Sequence, residues 1–271
     1  MRAIAVDPKE KFSDCKRRKD NTMILGVPFF LIALLYSLVG FGGGSSYIAL
    51  LVIVDVPYEL IPKIALLCNL IVVTGGSYHF IRRGHFYPEM FWPFVIASVP
   101  MAFIGGRIPI SENTFLLLLG TALLLSGYRI LVTNSPNNLK FRIDISLTHK
   151  AIVGALIGFF SGLVGIGGGI FLSPLLLSLN WGKPKTVAAT SSAFIFVNSL
   201  AGLLGQLSKS PTLAAEQLPH YLPLFLAVFL GGQIGSRMGA GWLSPLFLRG
   251  ATACLVIFVG CRLLLRSAGI F

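Results

Sequence analysis

Two short stretches of this chain have residue types suited to holding an anion. Val39 to Gly44 reads VGFGGG and Val164 to Gly169 reads VGIGGG. Glycine weakens a helix by about 1 kcal/mol per residue relative to alanine, so each run is expected to break one. A broken helix exposes unpaired N–H groups and the positive end of its dipole, which together suit an anion. Ser45 and Ser46 follow the first cluster and Ser173 the second, adding hydroxyl donors. The next apolar segments carry neutral polar groups in mid-span: Asn69, Thr74 and Ser77, then Thr190, Ser191, Ser192 and Asn198. Such donors can ligate an oxyanion without burying a formal charge. Arg107 and Arg237, at matching places near span ends, would draw anions toward the site. The candidate substrate-binding set is therefore Gly42, Gly43, Gly44, Ser45, Ser46, Asn69, Ser77, Gly167, Gly168, Gly169, Thr190, Ser191, Asn198, Arg107 and Arg237.

Each feature also has a plainer explanation. Gly40 and Gly44, like Gly165 and Gly169, are spaced as small residues are in a helix-packing seam. Three consecutive glycines exceed what a seam needs. Gly154, Gly158 and Gly162, one helical turn apart, read as a packing face. A buried serine or asparagine can simply link helices, worth ~0.6 kcal/mol. Arginines at span ends can snorkel to the interface.

Missing groups narrow the chemistry. Asp55, Glu59, Glu89, Glu112, Asp144 and Glu216 all lie in loops or at span ends. Without a carboxylate in mid-span, the usual intramembrane carrier of protons or cations is absent, which favours an anion as substrate. A serine hydrolase needs its nucleophile hydrogen-bonded to a histidine. His79, His149 and His220 fall at span ends, away from Ser45 and Ser46. A relay role for His79 meets the same objection, because a histidine at a span end is usually solvated. Cys15, Cys68, Cys254 and Cys261 have neither metal-ligand nor disulfide spacing, so no metal or cofactor is expected.

The elements that position these residues follow from composition. Of 271 residues, 55% are hydrophobic and 12% charged, against about 25% charged in soluble domains. Apolar segments run over 23–55, 62–81, 90–106, 113–133, 149–180, 186–207, 219–238 and 245–265. Bilayers exclude unpaired backbone, so each should be helical. The expected fold is an all-α polytopic membrane protein of about eight transmembrane segments in two internal repeats, each opening with a glycine-broken helix. The repeat shows in the doubled glycine motif. It shows again in Ile104-Gly105-Gly106-Arg107 beside Ile234-Gly235-Ser236-Arg237, and in Gly127-Tyr128-Arg129 beside Gly260-Cys261-Arg262. The expected divisions are a basic tail over 1–22, a first repeat over 23–133, a polar linker over 134–148 and a second repeat over 149–267.

Segments one and five, of about 33 residues, would make ~50 Å of helix, too long for one upright span and too short for two. If each crosses once, 16 of the 22 Lys and Arg collect on the N-terminal side; if each turns back, the tally is 12 against 10. The positive-inside rule favours single crossings, hence parallel repeats, with a cytoplasmic N-terminus. Turned-back segments would imply inverted repeats. The net charge of +12 comes largely from loops and from seven basic residues within the first 19. No aromatic-interleaved basic groove accompanies them, so nucleic acid is not an expected partner. The expected partners are a small anion and the lipid bilayer, with a homodimer as a candidate assembly.

With these motifs the chain resembles the sulfite exporter TauE/SafE family of membrane transporters. The doubled glycine motif, the Asn69 and Thr190-Ser191 segments and the closing arginine patterns carry the resemblance, over roughly 23 to 267. It implies export of a sulfur-containing anion such as sulfite or a sulfonate, by a multi-pass protein of the cell (inner) membrane that is not an enzyme. The halves differ in one respect: Cys68-Asn69 stands where the second half has Thr190-Ser191, so the two sides of the site are chemically unequal. A passive anion channel, an intramembrane hydrolase and a membrane scaffold are the competing classes.

Overall fold

The computed structural model describes residues 25–54, 56–132, 146–178, 181–209, 217–239 and 245–268. The basic tail over 1–22 and most of the 134–148 linker lie outside them. The described residues form helices and connecting turns. They are α1 (Leu25–Leu38), α2 (Gly44–Ile53), α3 (Ile61–Arg82), α4 (Pro88–Arg107), α5 (Glu112–Val132), α6 (Leu147–Val164), α7 (Gly169–Ser178) and α8 (Pro184–Leu207). A short 3-10 turn (Leu218–Tyr221) leads into α9 (Leu222–Gly239), and α10 (Pro245–Ser267) closes the chain. Among the described residues, five helical stretches are long and apolar enough to cross a membrane: α3, α4, α6, α8 and Leu218–Gly239. Pro62, Pro88 and Pro184 sit in the first turns of α3, α4 and α8, where a missing N–H costs nothing. The first and fifth apolar segments are each split in two at the glycine clusters.

Both split segments turn back on themselves. Phe29 of α1 stacks on Tyr47 of α2 with ring centroids 4.8 Å apart, and Ile32 abuts Gly43. Going forward along α2 therefore means going back along α1. In the second hairpin Ile157 of α6 abuts Gly168, and α7 runs antiparallel to α8, Gly169 meeting Ile195 while Ser173 reaches Ser191. This corrects the charge-based preference for single crossings. That tally is dominated by the N-terminal tail, whose side is the same in both arrangements.

Glycine sets how closely the other helices approach. Cβ atoms built on Gly154, Gly158 and Gly162 of α6 would run into the backbone carbonyls of Phe94, Ser98 and Ala102 of α4. The stripe is a packing face, and the matched order means α4 and α6 run parallel. On α9, Gly231, Gly235 and Gly239 meet the Phe30, Leu34 and Leu38 carbonyls of α1 in the same way. The opening helix of each split segment thus packs on a helix from the other half of the chain. In the middle, α3 and α8 pack antiparallel: Gly76 meets Ser192, while Leu66 lies near Gly202. α5 and α10 form a second antiparallel pair, in which Gly127 meets Ile257 and Gly120 meets Leu264.

A methyl group at Gly158 must push the Ser98 backbone aside, whereas Gly250 has open space around it. Gly158→Ala is expected to destabilise the purified protein by about 1–3 kcal/mol, the usual cost of overpacking. Gly250→Ala should be neutral or slightly stabilising, as checked by thermal unfolding in detergent.

Candidate functional site

The two glycine breaks share one local geometry. α1 ends with Gly40 at φ 79° and α6 with Gly165 at φ 84°, a left-handed conformation that admits glycine without strain. Phe41 N–H then donates to the Tyr36 carbonyl at 2.9 Å, and Ile166 N–H to the Ser161 carbonyl at 3.2 Å, the Schellman closure of a helix end. Three residues later Gly43 and Gly168, at φ 85° and 81°, restart the chain as α2 and α7. The Ser46 and Tyr47 amides return to Gly43 O, and the Phe171 and Leu172 amides to Gly168 O.

What remains open within each break is held by a long helix from the other half of the chain. Asn69 Nδ2 of α3 donates to the Ile166 carbonyl at 2.8 Å, fully buried. Ser192 Oγ of α8 donates to the Gly40 carbonyl at 2.9 Å. Asn69 also touches the first break: Cβ atoms on Gly42 and Gly44 would collide with its amide, and one on Gly167 would lie 3.1 Å from its Nδ2. Both breaks therefore meet at one side chain. Ser199 Oγ closes the same point, 2.5 Å from the Cβ position of Gly167.

Several buried polar atoms have no hydrogen-bond partner among the described residues: Asn69 Oδ1 and the hydroxyls of Tyr47, Ser77, Ser161, Thr190 and Ser199. Native interiors leave few such groups unsatisfied; of these, Asn69 and Ser199 meet at Gly167, Ser161 lies at Gly168, and the pair at Gly167 gives capacity for a polar ligand. Five of the six are hydroxyls able to donate to an oxyanion, and one of them, the Tyr47 phenol, lies beside Gly43.

The sequence-predicted residues divide by place. Gly42, Gly44, Asn69 and Gly167 come together. Gly43 and Gly168 face inward to their own hairpins, against Ile32 and Ile157, and Gly169 faces Ile195. Ser46 Oγ is 2.9 Å from the Tyr36 hydroxyl, with Ser45 buried beside it; Ser191 Oγ is 2.5 Å from Ser173 Oγ. Thr190 is buried and Ser77 half-buried. Asn198 turns toward α4: its Oδ1 accepts from Ser98 Oγ at 2.6 Å and its Nδ2 donates to the Phe194 carbonyl. Arg107 and Arg237 are exposed in the last turns of α4 and α9, Arg107 lying 5.8 Å over the Phe103 ring. His79 pairs with Gln233 of α9 at 3.3 Å, near the C-terminal end of α3. Sequence reasoning passed over Ser199, Ser161, Tyr36 and Tyr47. A serine or tyrosine in an apolar run gives no sign of which helix it faces until the hairpin is drawn.

Paired hairpins that meet at a buried amide among long apolar helices are the architecture of a multi-pass membrane protein, and comparison with known proteins gives its class as a membrane transporter. The chain belongs to the Sulfite exporter TauE/SafE family, whose model matches residues 25–263. It is similar to "Probable membrane transporter protein y4hK" of Sinorhizobium fredii, 35% identical over 89% of this chain and 97% of the relative. A "Probable membrane transporter protein" of Haemophilus influenzae is 28% identical over 87% and 95%. "Probable membrane transporter protein YunE" of Bacillus subtilis is 25% identical over 63% and 72%. No solved structure matches the chain.

Removing the Asn69 amide leaves the Ile166 carbonyl buried and unpaired. Asn69→Ala is expected to destabilise the protein by about 1–3 kcal/mol. Thr74→Ala on the same helix should change little, because its exposed hydroxyl bonds only the Leu70 carbonyl. Thermal unfolding of the two variants side by side checks the difference.

Proposed function

We propose that the protein exports a small sulfur-containing anion, such as sulfite or a sulfonate, across the cell (inner) membrane, binding it between two inverted repeats where the glycine breaks meet. The observation that carries this reading is Asn69, which bonds the second break and touches the first. A ligand there can act on both hairpins at once. The surrounding unpartnered donors are neutral hydroxyls, which suit an anion that must also leave.

Several exchanges of packing support the repeat. Pairing α1 with α6, α2 with α7, α3 with α8, α4 with α9 and α5 with α10 maps the α4–α6 contact onto α9–α1. It also maps α4–α8 onto α9–α3, and α5–α7 onto α10–α2. The paired helices α3 and α8 run antiparallel, as an inverted repeat requires. The tight fit of Asn69 among Gly42, Gly44 and Gly167 is that of a closed site, which opens when one hairpin moves off the other.

Flux into proteoliposomes tests the reading, with sulfite, sulfoacetate, taurine, thiosulfate, sulfate and acetate as the panel. One sulfur oxyanion should be carried with saturable kinetics. Asn69→Ala should lose about tenfold or more of that flux, the scale of one hydrogen bond to a charged ligand. Gly43→Val and Gly168→Val, which force a β-branched residue into left-handed backbone, should abolish it by distorting the hairpins. Undiminished flux in these variants would sink the proposal. Flux that never saturates would favour the passive anion channel.

A further inference from the structure

Asn69 has spent one end of its amide and not the other. Its Nδ2 donates to the Ile166 carbonyl at 2.8 Å. A carbonyl only accepts, so that bond fixes the amide's orientation and leaves Oδ1 facing the first break. The Cβ position of Gly42 falls on Oδ1, and that of Gly44 lies 3.0 Å from it. Glycine at both places brings the chain that close to an oxygen that is fully buried and has no hydrogen-bond partner among the described residues. Asn198 on α8 shows the contrast. Its Oδ1 accepts from Ser98 Oγ at 2.6 Å and its Nδ2 donates to the Phe194 carbonyl at 3.0 Å. An amide that serves packing alone uses both ends.

An amide oxygen accepts and never donates, so what satisfies it is a hydrogen brought by something else. The hydroxyl beside it is different in kind. Ser199 Oγ, also buried and without a partner, lies 2.5 Å from the Cβ position of Gly167, and Asn69 Nδ2 lies 3.1 Å from the same point. A hydroxyl can turn its hydrogen toward an anion's oxygen. A bare oxyanion offers only lone pairs. It would serve Ser199, set its charge against the negative end of the Asn69 carbonyl, and leave that buried acceptor unpaired, which works against binding. A ligand with an anionic oxygen and an N–H or O–H of its own meets both groups at once.

We propose that Asn69 Oδ1 is a specificity determinant, selecting anions that carry a hydrogen-bond donor of their own. Hydrogensulfite is then preferred to the sulfite dianion, and hydroxy- or aminosulfonates to plain alkylsulfonates. This rests on the transport reading, which puts the anion where the breaks meet, and it narrows the substrate class. The ligand's donor lies on Oδ1 at the first break, and its anionic oxygens take Ser199 Oγ at the second. In the closed arrangement Gly42 and Gly44 cover Oδ1, so the donor reaches it as the first hairpin draws back from α3. A ligand bound this way touches both hairpins with chemically different ends.

Isethionate (2-hydroxyethanesulfonate) and propane-1-sulfonate test it, being monoanions of nearly the same shape with a hydroxyl in one where the other has a methyl. Titration calorimetry compares them on the full-length protein in lipid nanodiscs. Isethionate should bind about tenfold or more tighter, because the analogue leaves Oδ1 unpaired. Apolar burial alone would favour propane-1-sulfonate, so the expected order runs against it. Asn69→Ala should bring the ratio close to one; a preference that survives there would assign selection to another group and overturn the proposal. The wild-type pair decides the matter by itself if that variant unfolds. Equal binding, or tighter binding of propane-1-sulfonate, would overturn donor selection and leave sulfonate transport standing. If neither binds, the flux panel decides. Carriage of sulfate, thiosulfate or sulfoacetate, which have no hydrogen to donate at neutral pH, would overturn the proposal, whereas carriage of sulfite or taurine alone would support it. No flux of any anion would remove the transport reading and this inference with it.

Discussion

The fold depends on one constraint: open backbone inside a bilayer must find partners within the protein, because no water is there to supply them. Two hairpins break their helices in the bundle interior, and each leaves a carbonyl that its own helix cannot pair. Asn69 takes the Ile166 carbonyl and Ser192 takes that of Gly40. Both donors come from long helices in the other half of the chain from the break they serve. Neither hairpin is satisfied without the other half, so the interlocked packing of α1 on α9 and α6 on α4 is a consequence of the breaks. Glycine on the contact faces lets the helices come close enough for those short side chains to reach.

Much of this was legible in the sequence. The span boundaries followed from apolar runs punctuated by proline and charge, and the observed α3, α4 and α8 begin and end within a few residues of them. The glycine clusters marked the breaks because a left-handed residue is needed to close a helix and another to restart it. The direction of the chain after each break was not legible. A glycine run gives no sign of whether it lets a helix kink onward or fold back, and counting charges failed because seven basic residues sit in one tail.

Side-chain facing was the other gap. Asn198 and Asn69 look alike in sequence, each an amide in an apolar helix. Asn198 spends both ends of its amide on Ser98 and Phe194, and Asn69 keeps its Oδ1 without a partner. Arg107 and Arg237 matched in sequence and match in place, at exposed helix ends where a guanidinium stays hydrated.

The account stands on segments turning back inside the membrane, and the sidedness of the two loops that flank the second one tests this most directly. Single cysteines at Gly84, between α3 and α4, and at Lys183, just before α8, would be placed in a cysteine-free background and labelled in sealed vesicles with a membrane-impermeant maleimide. A turned-back second segment puts both positions on the same side, so both should be labelled in vesicles of one orientation and protected in the other. Labelling from opposite sides would mean that the second glycine-broken segment crosses the membrane once, and would contradict the meeting of the breaks at Asn69.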